Sequence, residues 1–186
     1  MDHGRALTEQ ELCTVQRWKT QGVLVKVDSA KVLGRTHNGA ILLCCGDADH
    51  SWDVLTHIVN KLGCTERLHL QCFNGGALRV NPNVPIPKKY RIDAQLMEGI
   101  QVSRDLKKIE TLFLASHAPC GMAGLCRLSI EDVLWHTIEA ADIISATTGW
   151  SRKDIILLFH VHKGNGIKNT YFVEAKTKEA VYRIAA

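Results

Sequence analysis

The sequence predicts an α/β protein in which helices flank a mostly parallel central sheet with an antiparallel edge strand. Two observations lead to this prediction. Short continuous apolar runs, typical of strands buried on both faces, alternate with segments of helical periodicity. The last two predicted strands instead follow each other through the turn at residues 164–166, which indicates a hairpin. The order strand, helix, strand, helix, strand, helix, strand, strand is that of a layered α/β unit.

Composition indicates an ordinary globular protein. Of its 186 residues, 46% are hydrophobic and 23% are charged, so a single domain over residues 1–186 is expected. No apolar run approaches the roughly 18 residues that a membrane helix needs. The net charge of +4 comes from scattered basic residues, which does not indicate a nucleic-acid surface. The N-terminus lacks the apolar segment of a secretory signal, so we expect a cytoplasmic protein that binds neither nucleic acid nor membrane.

Helices are predicted where a capping residue precedes an apolar periodicity. Thr8 and Glu11 form a capping-box pattern that begins a helix over residues 8–20. Gly63 ends a second helix, predicted over 51–62. The predicted inward face of this second helix consists of Trp52, Leu55, Ile58, Val59 and Leu62. Further helices are predicted over 91–109, from Ser129 onward, and over 177–186.

Three predicted strands run directly into residues that carry chemistry. The first ends at Cys45-Gly46-Asp47, the second ends at Cys72 to Gly76, and the third is followed by His117 to Cys120. In open α/β sheets, ligands collect outside the carboxyl ends of the strands, so a functional site is expected there. The predicted strands are residues 39–45, 67–72, 111–116, 154–162 and 170–175.

These strand ends hold thiol and imidazole groups, which are the ligands that zinc prefers. His117 and Cys120 lie three residues apart at a strand-to-loop turn, so both can point at one ion. Cys45 ends another strand and lies close to them if the two strands are neighbours. The residues thus form a candidate Cys2His zinc site with a fourth position for water or for Asp47. The alternative is a group of buried thiols with a hydrogen-bonded histidine.

The seven cysteines are expected to be reduced, because their number is odd and no export signal is visible. Cys44 neighbours Cys45 but faces the opposite side of a strand, so it is interpreted as core. The segment from Cys120 to Arg127 resembles the loop of a cysteine phosphatase, although one residue too many separates the two side chains. A phosphatase of this kind would need no metal.

Three further histidines carry alternative interpretations. His50, at the start of the second helix, is a candidate proton shuttle because its ordinary pKa lies near neutrality; the alternative is a histidine with no role. His160 and His162 share one face of a strand and form a candidate second metal pair. For these two, the alternative is a pair of solvated or hydrogen-bonded side chains.

Three segments together resemble the β-class carbonic anhydrases, over roughly residues 35–175. They are Cys45-Gly46-Asp47, the strand end with Asn74-Gly75-Gly76, and Ser116-His117-Ala118-Pro119-Cys120-Gly121. The resemblance implies zinc held by Cys45, His117 and Cys120, with a zinc-bound hydroxide that hydrates carbon dioxide. Relatives of this fold also take carbonyl sulfide or carbon disulfide. Asp47 would be catalytic, either orienting that hydroxide or itself occupying the fourth zinc position.

The resemblance also implies a homodimer or a higher homo-oligomer. In that family the active sites lie at a dimer interface, where an N-terminal helix is laid over the partner. The helix over 8–20 would be such an N-terminal arm, on a single β-carbonic anhydrase-like zinc domain.

The sequence departs from the family pattern at two positions. Asp49 and Phe73 stand where the family has arginines, of which the first pairs with the aspartate and keeps it off the metal. A carboxylate instead repels Asp47 and supplies no donor. The second hypothesis is therefore a catalytically impaired zinc-binding homologue, closed by Asp47, that acts as a binding or regulatory protein. Alternatively, Arg35 or Arg79 replaces the lost cation in space.

Overall fold

The computed structural model describes residues 6–32, 34–63, 67–88 and 90–183. Its helices are α1 (Glu9–Thr20), α2 (Ala48–Leu62), α3 (Ile92–Lys107), α4 (Gly121–Leu125), α5 (Ile130–Thr148) and α6 (Lys178–Tyr182). Its strands are β1 (Leu24–Lys26), β2 (Ala40–Cys44), β3 (Leu68–Cys72), β4 (Thr111–Ala118), β5 (Ile155–His162) and β6 (Lys168–Val173). Short 3₁₀ helices occupy Ser29–Lys31, Gly76–Arg79 and Arg152–Asp154.

The strands form one six-stranded sheet in the order β1-β6-β5-β4-β2-β3. Neighbours among β3, β2, β4 and β5 are parallel, whereas β6 runs antiparallel to β5 and to the short β1. Helix α2 packs on one face, and α1, α3, α5 and α6 pack on the other. This confirms the predicted α/β class with its mostly parallel sheet and antiparallel edge; β1, only three residues long, was not predicted.

The predicted elements are present, with two boundary shifts that matter for the site. Helix α2 begins at Ala48 instead of Ser51, because the Asp47 side chain accepts the Asp49 backbone N–H at 3.0 Å and caps it. Strand β4 extends to Ala118, so His117 lies inside a strand. The helix predicted over 177–186 appears as α6, Lys178–Tyr182. Residues 184–186 of that prediction lie outside the described residues.

The predicted inward face of α2 was wrong at Trp52, which is 69% exposed. The buried residues of α2 are His50, Val54, Ile58 and Leu62, four residues apart along one stripe. Trp52 lies two residues from this stripe, about 200° around the helix at 3.6 residues per turn. The inward face of α2 therefore includes His50 and not Trp52.

Helix α1 packs against the core of its own chain. Its predicted capping box is present, since Thr8 accepts the Glu11 N–H and Glu11 accepts the Thr8 N–H. Trp18 is fully buried, meets Phe159 edge-on with ring centroids 5.8 Å apart, and donates from Nε1 to the Val181 carbonyl. The contacts of α1 with a partner chain stay a prediction.

Within the described ranges, the structure contains no helix that is both long enough and apolar enough to cross a membrane.

The buried Trp18 and the exposed Trp52 form a matched pair for a stability test. Trp18→Ala is expected to lower the free energy of unfolding by about 3–5 kcal/mol, because it leaves a cavity in the core and an unpaired carbonyl. Trp52→Ala is expected to change it by less than about 0.5 kcal/mol. Urea unfolding of both variants checks this, and equal losses would contradict the described packing of α1.

Candidate metal centre

The parallel pairing of β2 with β4 brings the predicted ligands together. The register sets Leu43 beside Leu114, so the two strands end at the same edge of the sheet. Cys45 follows β2, His117 lies near the end of β4, and Cys120 follows it. One donor atom from each lies within 4.8 Å of the other two, and all three residues are buried. The structure therefore brings together the three residues predicted as zinc ligands.

The loop after β3 holds Cys45 in position. The Gly75 N–H donates to the Cys45 Sγ at 3.2 Å, and the Gly46 N–H donates to the Phe73 carbonyl. Gly76 has a φ of +45°, and a Cβ there would lie 2.5 Å from the Cys45 nitrogen. The second glycine of the Asn-Gly-Gly sequence is thus required for close approach of this loop to β2.

The two thiols of the centre perturb each other. The neighbouring Cys120 thiol, together with nearby His117 and the Gly75 N–H, lowers the pKa of Cys45 to about 4. The neighbouring Cys45, together with burial, raises the pKa of Cys120. Cys45 is therefore a thiolate at neutral pH, the form that ligates metals. The hypothesis of a phosphatase-like loop at Cys120 stays a prediction.

His117 lacks a hydrogen-bond partner on both ring nitrogens, although the residue is only 3% exposed. Buried polar atoms are normally paired, and each unpaired one costs about 1–3 kcal/mol. A cavity of about 10 Å³, lined in part by Cys45, His50 and His117, adjoins the ring. Two sulfur atoms and an unpaired imidazole suit a metal ion with thiolate and imidazole preferences, so the residues fit zinc.

Asp47 is close to this centre but is not grouped with both thiols. One of its carboxylate oxygens lies within 4.8 Å of ring nitrogens of His50 and His117. No ion pair joins Asp47 to a cation among the residues that the structure describes. Arg35 pairs with Asp154, and Arg79 donates to backbone carbonyls, so neither replaces the missing arginine. The roles of Asp47 as catalytic residue and zinc ligand stay predictions.

Buried histidines extend the polar cluster away from the thiols. The ring centroid of His50 lies 4.3 Å from that of His117, 5.4 Å from that of His160 and 5.9 Å from that of His162. The register of β4 and β5 sets His117 directly beside His160. His160 and His162 are 2% and 6% exposed, so neither is solvated. The hydrogen-bonded alternative is confirmed for His160, whose Nδ1 lies 2.9 Å from the Thr170 hydroxyl.

Burial keeps the imidazoles of His50 and His160 neutral. It is the main cause that lowers the pKa of His50 to about 4 and that of His160 to about 3. A general acid or base works best with a pKa near the working pH. In the metal-free chain His50 is therefore poorly suited to the proton-shuttle role that its ordinary pKa indicated.

Two residues of this cluster, Asp53 and Lys168, were not predicted from the sequence. The Asp53 Oδ2 lies 2.6 Å from the Lys168 Nζ and 3.9 Å from the His160 Nε2. Lys168 also donates to the Asp49 carbonyl at 2.6 Å. The spacing of His50 and Asp53, three residues apart on a helix, was a signal for the aspartate. No signal in the sequence indicated Lys168, because it approaches α2 only through the pairing of β6 with β5.

Two further thiols, those of Cys44 and Cys72, lie on the other face of the sheet. Cys44 is buried among apolar residues beneath α2, as predicted for a core residue. Its Sγ lies 3.1 Å from the Sγ of Cys72, its register partner on β3.

A cavity of about 510 Å³ lies at the opposite end of the sheet, beside the start of β5 and the end of β6. Three of its cationic side chains, Lys31, Arg35 and Arg152, pair with Glu174, Asp154 and Asp142. Since neither the thiols nor the histidine cluster reaches it, this cavity is separate from the candidate metal centre.

Of three comparisons with known proteins, the one with solved structures finds a similar protein. No protein-family profile matches the chain, and no curated protein matches it. Among solved structures, the chain is similar to the β-carbonic anhydrase isoform I of the protozoan Trichomonas vaginalis. The match covers 91% of this chain and 100% of that one, at 13% sequence identity and a TM-score of 0.40.

The neutral buried histidines predict a pH dependence of stability in the metal-free chain. An unfolded histidine binds a proton below pH of about 6.5, whereas folded His160 resists protonation down to a pKa of about 3. The contribution of these histidines to the free energy of unfolding should therefore be level above that pH and fall as the pH drops below it. His160→Gln should reduce this slope by up to about 1.4 kcal/mol per pH unit.

Urea unfolding between pH 7 and pH 4.5 measures the slope. The control is His37→Gln, which removes an exposed histidine. Equal slopes in the parent, the control and His160→Gln would contradict the described burial.

Proposed function

We propose that the chain is a zinc-dependent lyase of the β-carbonic anhydrase kind, which hydrates carbon dioxide or a related electrophile such as carbonyl sulfide or carbon disulfide. The observation that carries the proposal is the cluster of Cys45, His117 and Cys120, with donor atoms within 4.8 Å at one sheet edge. The sequence order C-x-D, then H-x-x-C-G, supports it, as these motifs resemble that family.

Cys45, His117 and Cys120 would hold the zinc. Three protein ligands with an open fourth position are typical of catalytic zinc sites, in contrast to the closed four-ligand structural ones. When bound, zinc supplies Lewis acidity that lowers the pKa of water toward neutrality. The unpaired His117 nitrogens and the low pKa of Cys45 support this assignment, because zinc binds neutral imidazole and thiolate.

Asp47 is the residue of this chain that would position a reacting water. Its Oδ1 accepts the Asp49 N–H, which fixes the carboxylate at the start of α2, toward His117. The second carboxylate oxygen remains as an acceptor. A carboxylate held in this way orients a water molecule by accepting its hydrogen.

A second candidate function is a closed zinc protein that acts as a binding or regulatory homologue. The observation that favours it is the lack of a cationic partner for Asp47 among the described residues. Lys168, on the same side of α2, is already held by Asp53 and by the Asp49 carbonyl. Asp47 would then turn to the strongest remaining positive charge, which is the zinc ion.

A homodimer, or a higher homo-oligomer, of one zinc domain with α1 as an N-terminal arm is part of the same proposal. Because Trp18 packs into the core of its own chain, deletion of α1 would damage the fold as well as any interface. The molar mass of the intact chain in solution is therefore the appropriate measurement.

The zinc assignment is tested by the serine variant of one thiol. The parent should bind about one equivalent of zinc that depends on thiols, and Cys120→Ser should weaken this binding more than the roughly 10–100-fold typical of outer-shell changes. Cys126→Ser is the matched control, since Cys126 lies outside the ligand group. Metal analysis after dialysis decides; equal zinc in both variants would refute the centre.

The choice between the two candidate functions is tested at position 49. Asp49→Arg should restore a cationic partner for Asp47 and raise the rate of carbon dioxide hydration by on the order of tenfold, the effect of about 1.4 kcal/mol. Asp49→Asn removes the negative charge without supplying a guanidinium and serves as the control. Stopped-flow hydration assays of zinc-loaded protein measure the rates. Brisk hydration by the parent, unaltered in Asp49→Arg, would reject the closed homologue.

A further inference from the structure

We propose a second metal site, formed by His50, Asp53 and His160, that binds a divalent first-row transition-metal ion. One ligand atom from each of these residues lies within 4.8 Å of the other two. The set shares no residue with the thiol centre. It also does not require that centre to bind zinc or to catalyse hydration.

Two elements bring the three ligands together. Helix α2 supplies His50 and Asp53, which stand three residues apart and so share one side of the helix. Strand β5 supplies His160, which its register places beside His117 of β4. Helix α2 packs on this face of the sheet, so its first turns lie over the carboxyl ends of β4 and β5.

Unpaired nitrogen atoms of both histidines point to a missing ligand. The Nδ1 of His50 and the Nε2 of His160 are buried without a hydrogen-bond partner, in residues that are 3% and 2% exposed. Burial of an imidazole nitrogen without a partner is unfavourable, and coordination of an ion would remove that cost.

The surroundings of His160 hold its ring as a metal ligand needs. Its Nδ1 lies 2.9 Å from the Thr170 hydroxyl, and its Nε2 faces the Asp53 carboxylate at 3.9 Å. Metal-binding histidines usually donate their second ring N–H to such an outer partner, which fixes the tautomer and leaves the other nitrogen free to coordinate. Burial also keeps His50 and His160 neutral, the state that coordination requires.

Lys168 is a competing cation beside the Asp53 carboxylate. Its ammonium lies 2.6 Å from the Asp53 Oδ2 and 2.6 Å from the Asp49 carbonyl. A bound ion therefore competes with Lys168 for the Asp53 carboxylate. The Asp53 and Lys168 side chains are 36% and 28% exposed, so an ion can enter the otherwise buried site between them.

The ligand types define the class of metal. Two imidazoles and a carboxylate suit Zn²⁺, Co²⁺, Ni²⁺ or Fe²⁺, whereas Mg²⁺ and Ca²⁺ prefer sites made of oxygen atoms. Because no sulfur takes part, cobalt in this site lacks the thiolate-to-metal charge-transfer absorption that cobalt shows with Cys45 and Cys120. The two sites can therefore be observed separately in one titration.

The test is a Co²⁺ titration of the reduced, metal-free full chain, followed by absorption spectroscopy and by equilibrium dialysis with metal analysis. The parent should bind two equivalents, of which only one produces the thiolate band. Asp53→Ala should weaken the band-free equivalent at least tenfold and leave the thiolate band unchanged. The matched control is Asp142→Ala, which also removes a helical aspartate from an ion pair with a basic side chain.

Cys120→Ser separates this proposal from that of the thiol centre, because it should abolish the band and keep the band-free equivalent. His160→Gln should act as Asp53→Ala does. A parent whose only equivalent at saturating Co²⁺ shows the thiolate band, or an Asp53→Ala variant that keeps both equivalents, would overturn the second site.

The competition with Lys168 gives an effect of opposite sign. Lys168→Gln should tighten the band-free equivalent by about tenfold, because it frees Asp53 and removes a neighbouring positive charge. Lys31→Gln, which breaks the ion pair with Glu174 elsewhere on the chain, should have no effect. An unaltered or weaker affinity in Lys168→Gln would contradict the position assigned to the ion.

Discussion

The parallel register of β2, β4 and β5 is the constraint on which the polar cluster depends. Backbone pairing sets Leu43 beside Leu114 and His117 beside His160, so the three strands end at one edge. A shift of one residue would turn every side chain of a strand to the other face of the sheet. Apolar side chains buried on both faces oppose that shift, at about 25 cal/mol for each Å² removed from water. The apolar core thus keeps these thiol and imidazole groups buried, although contact with water would lower their free energy.

Those donors are costly where they lie. His117 keeps two unpaired nitrogens in the interior, and His50 and His160 keep one each. At about 1–3 kcal/mol for each unpaired atom, the sum is comparable with the 5–15 kcal/mol by which a domain is stable. Local rules of folding are broken mainly at functional sites, where a ligand returns the lost energy. The unpaired atoms border the Cys45 and Cys120 thiols on one side and Asp53 on the other, so an ion bound at either border would give them a partner.

How far the sequence predicts this arrangement depends on the range of the interactions. The helix starts at Thr8 and Ser129 and the helix end at Gly63 were predictable, because capping involves residues close in the chain. The grouping of Cys45 with His117 and Cys120 was predictable in outline, since parallel strands present their carboxyl ends at one edge. Other features depend on contacts across the fold. The orientation of α2 exposes Trp52 and buries His50, and Lys168 reaches Asp53 only because β6 pairs with β5.

The charge balance at the start of α2 links the two candidate functions. The N–H groups of a first helical turn stabilise an anion by about 0.3–1 kcal/mol, far less than a dication at contact distance. Asp47 can nevertheless cap the helix and coordinate an ion at the same time, because the Asp49 N–H engages Oδ1 alone. The cap therefore orients the carboxylate without using up its capacity to coordinate. Where Oδ2 turns is then decided by the nearest uncommitted cation. With a carboxylate at position 49 and Lys168 engaged by Asp53, a metal ion held by Cys45, His117 and Cys120 would meet that description.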